Sequence, residues 1–345
     1  MKWIYDLTYE QLKEELNAAG IKKFTASQIF QWLYEKNIRD IDAWSNIAKP
    51  TRAALAKQYD ASLNKIIDTK EDHSGAKKIL FELTDGYRIE AVLIKEKDHY
   101  TFCISTQVGC ALNCRFCATG RMGFKRNLSP GEILSQVLSL EKEIPGYTGK
   151  MNIVLMGMGE PLMNYENLKQ ALDIITSEKG IGISPRNITL STAGILEKIR
   201  RFEKDFPRVK ISFSLNAPET VLREALMPIS RKEKLPDILD YFRAAAADRR
   251  HRITFEYVLI KGVNDSLDHA RLTSNLLRGI PCKINLIPFN PNGSIGFETP
   301  DPGDVEIFSD YLHSKGYTVI TRWSKGRDIK SACGQLAGEL DENDE

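Results

Sequence analysis

Short apolar segments alternate with amphipathic helical segments from about residue 101 onward, and this alternation constrains the fold more than any other feature of the chain. Chains with this pattern build parallel sheets, which stay open or close into a barrel. Glycine, proline and asparagine crowd the ends of several strands, where barrel enzymes carry their active sites. We therefore predict an α/β fold with parallel strands over residues 101–107, 153–156, 188–191, 209–214, 254–260, 283–287 and 318–321.

The residues before this region divide into two further segments. Apolar positions recur at helical spacing within residues 1–58, so we predict a small helical accessory domain there. In residues 59–100, two apolar runs flank Thr84-Asp85-Gly86, and an Asp-Gly pair between such runs favours a β-hairpin. The barrel core is then expected over residues 101–336, and an acidic tail over residues 337–345.

Composition excludes several classes of protein. Hydrophobic residues make up 42% and charged residues 27% of the 345 residues, as in folded globular proteins and unlike disordered or collagen-like chains. No apolar run approaches the roughly 18 residues that span a bilayer. The first residues include Asp6 and Glu10 and lack the apolar core of a signal peptide. We therefore expect a cytoplasmic protein with no membrane partner, whose six cysteines do not form a disulfide framework.

Three of the cysteines lie within eight residues, at Cys110, Cys114 and Cys117. Three thiolates on one short loop can hold three irons of a cubane iron–sulfur cluster, which leaves the fourth iron free to bind a substrate. The spacing differs from the paired cysteines of most structural zinc sites. A zinc site that recruits Cys103 as its fourth ligand remains an alternative on these residues alone.

Two further segments have the character of reactive sites. Gly159 and Glu160 follow a predicted strand, where glycine lets the backbone approach a ligand and a carboxylate can accept from an ammonium group. A tight turn would explain the same two residues. Cys333 lies in a polar segment near basic side chains and beside Gly334, a setting that suits a reactive thiolate. Cys282 lacks such a setting and is interpreted as a small buried residue.

Together these motifs resemble those of a known enzyme family. The spacing Cys-x3-Cys-x2-Cys, with Phe116 before the last cysteine, resembles that of the radical S-adenosylmethionine (SAM) enzymes. Over nearly its whole length, the chain is similar to the RlmN-type dual-specificity RNA methyltransferases, which methylate C2 of adenosine in 23S rRNA and tRNA. The stretches that carry the resemblance are CISTQVGCALNCRFCATG, MGMGEPLMNY, ITLSTAGI, SLNAP, EYVLIKGVND, PCKINLIPFNP, RDIKSACGQLAG and, near the N-terminus, FTASQIFQWLY.

The resemblance implies a fold and two cofactor sites. The expected fold is a partial (βα)6 TIM-type barrel of the radical SAM class with a small N-terminal helical accessory domain. Cys110, Cys114 and Cys117 would hold a 4Fe–4S cluster. Many relatives have histidine where this chain has Asn216; asparagine still donates and accepts hydrogen bonds, but it does not titrate near neutral pH. The residues that match the family's SAM-contacting positions are Gly159, Glu160, Ser191, Ser214, Leu215, Asn216 and Asn290.

The same resemblance implies roles for three other residues. Cys333 matches the cysteine that a first SAM methylates, and a radical generated from a second SAM then removes a hydrogen atom from the S-methyl group. The resulting methylene radical adds to the adenine and links the RNA to the protein. Cys103 matches the cysteine that releases the RNA by forming a disulfide bond with Cys333, and Glu90 matches the general base. A flavodoxin-like protein is the expected electron donor, and the chain is expected to be a monomer.

Other functions remain open on the residues alone. No physical argument from the sequence distinguishes C2 of adenine from C8, which a sister, Cfr-type family methylates in rRNA. A non-enzymatic zinc-binding RNA protein would require neither the Gly159-Glu160 pair nor Cys333. The net charge of +2 does not by itself indicate nucleic-acid binding. Local clusters of basic residues can bind RNA even where the net charge is near zero. We assign the RNA contacts to the helical domain, the basic loop 121–126 and the residues Arg322, Lys325, Arg327 and Lys330.

Overall fold

Helices and short strands occupy the first sixty residues of the chain, of which the computed structural model describes residues 1–245, 253–293 and 296–338. Thr8 caps the first helix, and its amide donates to the Gln11 side chain at 2.8 Å in a reciprocal capping box. The elements are β1 (Lys2–Trp3), α1 (Tyr9–Ala18), α2 (Thr25–Phe30), a π-helical turn (Gln31–Glu35), α3 (Lys49–Gln58) and β2 (Tyr59–Asp60).

Three antiparallel strands follow, β3 (Lys65–Glu71), β4 (Lys77–Glu82) and β5 (Arg88–Lys95). The predicted hairpin consists of β4 and β5, and Gly86 in its turn has a φ of 84° that favours glycine. The sequence analysis did not identify β3, because this largely exposed edge strand lacks the apolar–polar alternation of a half-buried strand. The division of the chain at residues 58 and 100 stays a prediction.

Parallel strands continue the same sheet, and they lie side by side in their order along the chain. Six strand–helix units and a final strand form this part of the described chain, which confirms the predicted partial α/β barrel. The sheet is open, with β3 at one edge and the last strand at the other. The elements are β6 (His99–Cys103), β7 (Gln107–Gly109), α4 (Ala118–Arg121), β8 (Phe124–Asn127), α5 (Pro130–Lys142), β9 (Lys150–Leu155), α6 (Tyr165–Thr176), β10 (Ile188–Thr192), α7 (Leu196–Asp205), β11 (Lys210–Ser214), α8 (Thr220–Leu226), α9 (Leu235–Ala244), β12 (Ile253–Leu259), α10 (Leu267–Leu276), β13 (Cys282–Pro288), α11 (Pro302–Ser314) and β14 (Thr318–Thr321).

The strand predicted over residues 101–107 is divided in two. β6 ends at Cys103, and the chain then leaves the ladder that it shares with β5. Side chains replace the ladder there: the Ser105 hydroxyl donates to the Glu90 carbonyl at 2.6 Å, and the Ser105 amide donates to Gln136 Oε1 at 2.8 Å. β7 then begins at Gln107 and pairs with β8 in a separate small sheet. This bend brings the cysteine loop over the carboxyl edge of the main sheet.

The helical N-terminal segment packs directly on the barrel, and the two share one hydrophobic core. Asp6 Oδ1 accepts a hydrogen bond from the Gly131 amide at the start of α5, at 2.8 Å. Gly131 permits this contact because a Cβ there would lie 2.8 Å from the ring of Trp3. Among the described residues, no helix combines the length and the apolar composition that crossing a bilayer requires. Residues 339–345 of the predicted acidic tail lie outside the described residues.

Candidate active site

A cavity of about 930 Å³, partly open to solvent, lies at the carboxyl ends of β9 to β13. Parallel strands bring their carboxyl ends to one edge of the sheet, so the loops that follow them meet there. The predicted site residues that line it are Cys110, Cys114, Cys117, Gly159, Glu160, Ser191, Ser214, Asn216 and Cys333. Those that do not line it are Leu215, Asn290, Cys103 and Glu90.

The loop that carries the three cysteines folds back tightly on itself. Gly109 has a φ of 70°, and a Cβ at this position would collide with the carbonyl oxygen of Gly123. The Cys110 amide donates to that same carbonyl at 3.1 Å, and the Cys117 amide donates to the Cys114 carbonyl at 3.1 Å. This backbone arrangement places all three cysteines in the wall of the cavity.

The surroundings of the three thiols fit an iron–sulfur cluster better than a single zinc ion. Burial raises the pKa of Cys110 to about 12 and raises the pKa of Cys114 well above its usual value, and nearby cysteines add to both shifts. A tetrahedral zinc ion would hold its sulfur ligands about 3.8 Å apart. In the part of the chain that the structure describes, the three Sγ atoms do not all lie within 4.8 Å of one another. A cluster of several metal ions, which distributes its thiolate ligands over more than one metal, fits this wider arrangement.

Gly159 and Glu160 lie where β9 gives way to the next loop. Gly159 has a φ of 99°, and a Cβ there would lie 2.5 Å from Cβ of Gln107. The Glu160 amide donates to Gln107 Oε1 at 2.8 Å, while its carboxylate accepts from the amides of Ala193 at 2.9 Å and Leu162 at 3.1 Å. Burial raises the pKa of Glu160. The carboxyl group is thus fixed in the cavity wall, where it can accept from an ammonium group of a ligand.

Asn216 occupies the position where many relatives have histidine. Its φ of 58° is left-handed, a conformation that asparagine tolerates better than most residues. Its Oδ1 accepts from the Val258 amide at 2.9 Å, and its Nδ2 lies 3.2 Å from Met227 Sδ. Asparagine is therefore integrated into the cavity wall through neutral hydrogen bonds, and no imidazole is required to hold this loop.

Arg223 of α8, which the sequence analysis missed, holds the segment that follows β11. The side chain is fully buried, and its guanidinium donates to the carbonyls of Leu215, Ala193 and Ser214 at 2.9–3.0 Å. Burial lowers the pKa of Arg223 to about 10. Leu215 itself is buried beneath the cavity rather than exposed in it. Nothing in the sequence distinguished Arg223 from a surface residue of an amphipathic helix.

The segment that carries Cys333 is clamped against the cysteine loop. Asn290 Nδ2 donates to the Cys333 carbonyl at 3.1 Å, so this predicted cofactor-binding residue holds the backbone of Cys333 instead of lining the cavity. Asn292 Nδ2 bridges the two segments by donating to the carbonyls of Gly334 and Phe116 at 2.7 and 2.8 Å. The side chain of Cys333 is exposed in the cavity. These hydrogen bonds fix the backbone at Cys333 and Gly334, so that the Cys333 side chain lies in the same cavity as the cysteine triad.

Cys103 is the last residue of β6 and is buried. Burial raises its pKa to about 12, and the charge of Cys333 adds to the shift, which places the two sulfurs within electrostatic range. The disulfide bond expected between them is not present. All six cysteines of the chain, each within the described residues, are free thiols. Burial of Cys103 under the end of the strand separates its sulfur from that of the exposed Cys333.

Glu90 of β5 is almost fully buried and already has partners for both oxygens. Lys78 Nζ lies 2.7 Å from its Oε1, and the amides of Ala337 and Gly338 donate to its Oε2 at 2.8 and 3.1 Å. The side chain is 1% exposed and lies outside the cavity lining. In this conformation, Glu90 therefore holds the end of the segment that carries Cys333.

Several basic residues predicted to bind RNA are committed to contacts within the protein. Arg126 forms a paired interaction with Glu132 at 2.7 and 2.8 Å and contacts Asp85 at 2.5 Å. Lys325 pairs with Glu96 at 3.0 Å, and Arg327 donates to Asn290. These side chains stabilise the loops that surround the cavity. Of the predicted RNA-binding residues, Lys125, Arg322 and Lys330 are exposed, and so is Arg121, whose guanidinium donates to the carbonyls of Asn292 and Gly293.

Glu256 of β12 also lines the cavity, and the sequence analysis missed it. The side chain is 6% exposed, and burial raises its pKa. A signal was available in the sequence, because Glu256 is the one charged residue of the strand Ile253–Leu259. Buried charged residues in otherwise apolar strands are rare unless they have a partner or a function.

Comparisons with known proteins identify the family to which this arrangement belongs. A model of the radical SAM superfamily matches residues 104–272, and a model of the ribosomal RNA large subunit methyltransferase N-terminal domain matches residues 3–60. The dual-specificity RNA methyltransferase RlmN of Desulfosudis oleivorans is 44% identical over 98% of this chain and 91% of its own length. The protein of the same name from Syntrophus aciditrophicus is 43% identical, with 97% and 96% covered.

A solved structure gives the same result. The radical SAM methyltransferase from Sphaerobacter thermophilus superposes with a TM-score of 0.94 at 39% identity, covering 98% of this chain and all of that one. The superfamily implies SAM and an iron–sulfur cluster as cofactors. The predicted resemblance is confirmed over nearly the full length of the chain. The cysteine triad, the Gly159-Glu160 turn and the full-length matches together show that the chain belongs to the RlmN family of dual-specificity RNA methyltransferases within the radical SAM superfamily.

Proposed function

We propose that this enzyme methylates C2 of adenosine in both 23S rRNA and tRNA by way of a methylated Cys333 and a covalent protein–RNA adduct. The observation that carries the proposal is that Cys333 faces the same cavity as the cysteine triad and the Gly159-Glu160 turn. C2 of adenine is electron-poor and not nucleophilic, so it does not accept a methyl group by direct displacement. A carbon-centred radical can add there, which requires a carrier for the carbon atom.

The residues of the cavity divide between the two cofactors. Cys110, Cys114 and Cys117 would hold a 4Fe–4S cluster, and the open side of the cavity leaves space for SAM at its fourth iron. Glu160 would accept from the amino group of SAM. The two cofactors together supply the methyl group, one electron and a radical that removes a hydrogen atom. The other residues proposed to contact SAM are Gly159, Ser191, Ser214, Leu215, Asn216 and Asn290, of which Leu215 and Asn290 act through the backbone that they hold.

Cys333 would then act as the carbon carrier. Its sulfur takes up the methyl group, loses one hydrogen atom from it and bonds through the remaining methylene to C2 of the adenine. The radical adduct must then lose one electron, which would return to the oxidised cluster. The adduct is a thioether, and a second sulfur is needed to free the RNA by an exchange-like attack. Cys103 lies within electrostatic range of Cys333 and is proposed for this attack. Both cysteines are free in the resting protein, which is the state that the cycle requires at its start.

Glu90 is proposed to accept the proton that leaves C2 when the adduct is resolved. Its carboxylate is occupied by Lys78, Ala337 and Gly338 in this conformation. The two amides must therefore withdraw before Glu90 can act on the RNA. RNA contacts are proposed for the N-terminal helical domain and for the exposed residues Lys125, Arg322 and Lys330. We also propose that the enzyme is monomeric and cytoplasmic and that it receives its electron from a flavodoxin-like protein.

Nucleoside mass spectrometry tests the proposal. Unmodified rRNA and tRNA are incubated anaerobically with the reconstituted enzyme, a reductant and deuteromethyl SAM. We expect 2-methyladenosine from both RNAs, with a methyl group that keeps two of its three deuterium atoms because one is lost to the radical. 8-Methyladenosine would overturn the C2 assignment, and three retained deuterium atoms would overturn the methylene route.

Cysteine variants test the carrier and the release step separately. Cys333→Ala should abolish methylation, and Cys103→Ala should trap a covalent protein–RNA adduct that migrates slowly on a denaturing gel. Cys282→Ala is the matched control, because Cys282 is a buried cysteine at the start of β13 outside the cavity lining. It should form product without accumulating the adduct. Turnover by Cys103→Ala at the wild-type rate would remove Cys103 from the release step.

A further inference from the structure

Glu256 is a buried carboxyl group at the floor of the cavity, directly across from Ser214 in the β11–β12 ladder. Its backbone carbonyl accepts from the Leu215 amide at 2.9 Å, so its main chain supports the wall of the cavity. The side chain lies on the same strand face as Val258, which also lines the cavity two residues further on. Glu256 therefore lies at the level of Ser214 and one layer deeper in the barrel than Val258.

The two oxygens of this carboxyl group are in different situations. Oε1 accepts from the Ser212 hydroxyl at 2.5 Å and from Asn285 Nδ2 at 3.0 Å. Oε2 is buried and has no hydrogen-bond partner among the described residues. Burial raises the pKa of Glu256, while the hydrogen bonds from Ser212 and Asn285 and the Arg322 charge lower it, and the net shift is upward. With both protein donors on Oε1, a proton on Oε2 is the arrangement that leaves no buried oxygen with an uncompensated negative charge. A buried polar atom without a protein partner is rare, so Oε2 is left for a partner outside the described chain.

The neighbouring charges place this hydroxyl group close to the reacting cysteine. The side chain of Cys333 is open to the cavity, but the protein that surrounds it excludes enough water to raise the pKa of its thiol; the Arg322 charge lowers this pKa, and the Glu256 charge raises it further. Cys333 and Glu256 also line the same cavity. An adenine bonded to the carbon on Cys333 must lie against that sulfur. The ring nitrogens N1 and N3 flank C2, so an acceptor atom would lie beside the reacting carbon on either side.

We propose that Glu256 binds the target adenine of the RNA by donating a hydrogen bond from Oε2 to a ring nitrogen next to the reacting carbon. This contact orients the base, and it withdraws electron density from the carbon to which the radical adds. The proton stays on Oε2 throughout, so the carboxyl group is a binding and polarising group and not the base of the release step. The inference rests on the proposed function, because it requires Cys333 to be the carbon carrier.

The contact is tested with Glu256→Met in the Cys103→Ala background, where adduct formation is measured without release. Methionine is of similar size but offers no donor, whereas the matched control Glu256→Gln keeps an oxygen for Ser212 and Asn285 and an N–H donor at the position of Oε2, so its rate should stay close to that of the parent. For Glu256→Met we expect roughly tenfold slower adduct formation, the factor that corresponds to loss of one hydrogen bond. The SAM dissociation constant and the extent of Cys333 methylation, read from the mass of its peptide, should equal those of the parent protein.

RNA in which 1-deazaadenosine or 3-deazaadenosine replaces the target identifies the acceptor. One of the two analogues should remove the difference between the Glu256→Met protein and its parent, because the nitrogen that accepts the bond is then absent. A second comparison uses only the wild-type enzyme and therefore does not depend on folding of the variant. It measures the affinity of that enzyme for RNA with adenosine or with each analogue. One analogue should then bind the wild-type enzyme several-fold more weakly.

Three results would overturn the inference. Weaker SAM binding with slower Cys333 methylation would show that the carboxyl group contacts the cofactor. Equal adduct formation by Glu256→Met and its parent would show that the contact is not made. A penalty that persists on both analogues would place the effect elsewhere in the protein. Failure of the proposed function is distinguishable, because the Cys103→Ala protein with Glu256 intact would then form no adduct at all.

Discussion

Replacement of Lys78 by methionine should destabilise the protein by about 3 kcal/mol, because it leaves the Glu90 carboxylate buried without its cation. The two side chains are 5% and 1% exposed, and Nζ lies 2.7 Å from Oε1. Removing one partner of a buried ion pair costs roughly 3–5 kcal/mol. The lower end applies here because Oε2 keeps its two amide donors, Ala337 and Gly338. The equilibrium constant for folding should fall roughly 150-fold.

Lys65 provides a matched control on the neighbouring strand. It pairs with Glu82 at 2.9 Å, but the two side chains are 70% and 35% exposed. Lys65→Met should therefore change the free energy of unfolding by less than about 1 kcal/mol. Both variants are measured by urea denaturation of the anaerobic holoenzyme, followed by circular dichroism. A loss below about 1 kcal/mol for Lys78→Met would refute the reasoning, since the pair would then behave as an exposed one.

Three further predictions concern other parts of the molecule. Gly159→Ala should abolish SAM binding, measured by equilibrium dialysis, because its Cβ would lie 2.5 Å from that of Gln107 in a left-handed backbone; unchanged affinity would contradict this. Lys125→Ala should weaken RNA binding and lower its salt slope by about one, whereas Arg126→Ala should mainly lower the melting temperature. The raised pKa of Glu256 means that the native state binds its proton more tightly, so this group's contribution to stability falls as pH rises above 4.5. Glu256→Gln should remove that part of the pH dependence in urea titrations, and parallel pH profiles would contradict the shift.

Local patterns in the sequence were sufficient to predict the cofactor half of the site. The triad Cys110, Cys114 and Cys117 and the turn at Gly159 and Glu160 are each contained in a few consecutive residues. Short spacing restricts how far such side chains can separate, whatever the rest of the chain does. The order of strands could be predicted for a similar reason, since parallel strands joined by one helix lie next to each other in most sheets.

The half of the site that involves the C-terminal segment could not be predicted from spacing. Cys333 was predicted from its motif, but the partners that position it, Asn290 and Asn292, lie about forty residues away, beyond β14 and α11. Glu90 was identified by resemblance as a base, and the structure shows that the amides of Ala337 and Gly338 occupy its carboxylate. No periodicity along the chain encodes a contact between residues so far apart.

The sequence by itself therefore determined the class of fold, the spacing of the cysteine triad and the family. Those features follow from the identity and spacing of neighbouring residues, which covalent geometry keeps together. Only the tertiary structure decided which buried polar groups have partners, as with Lys78 and Glu90, and which do not, as with Glu256 Oε2 among the described residues. The physical reason is that burial and hydrogen-bond partners depend on strands and loops brought together by packing, and the cost of a buried polar atom is defined only once its surroundings exist.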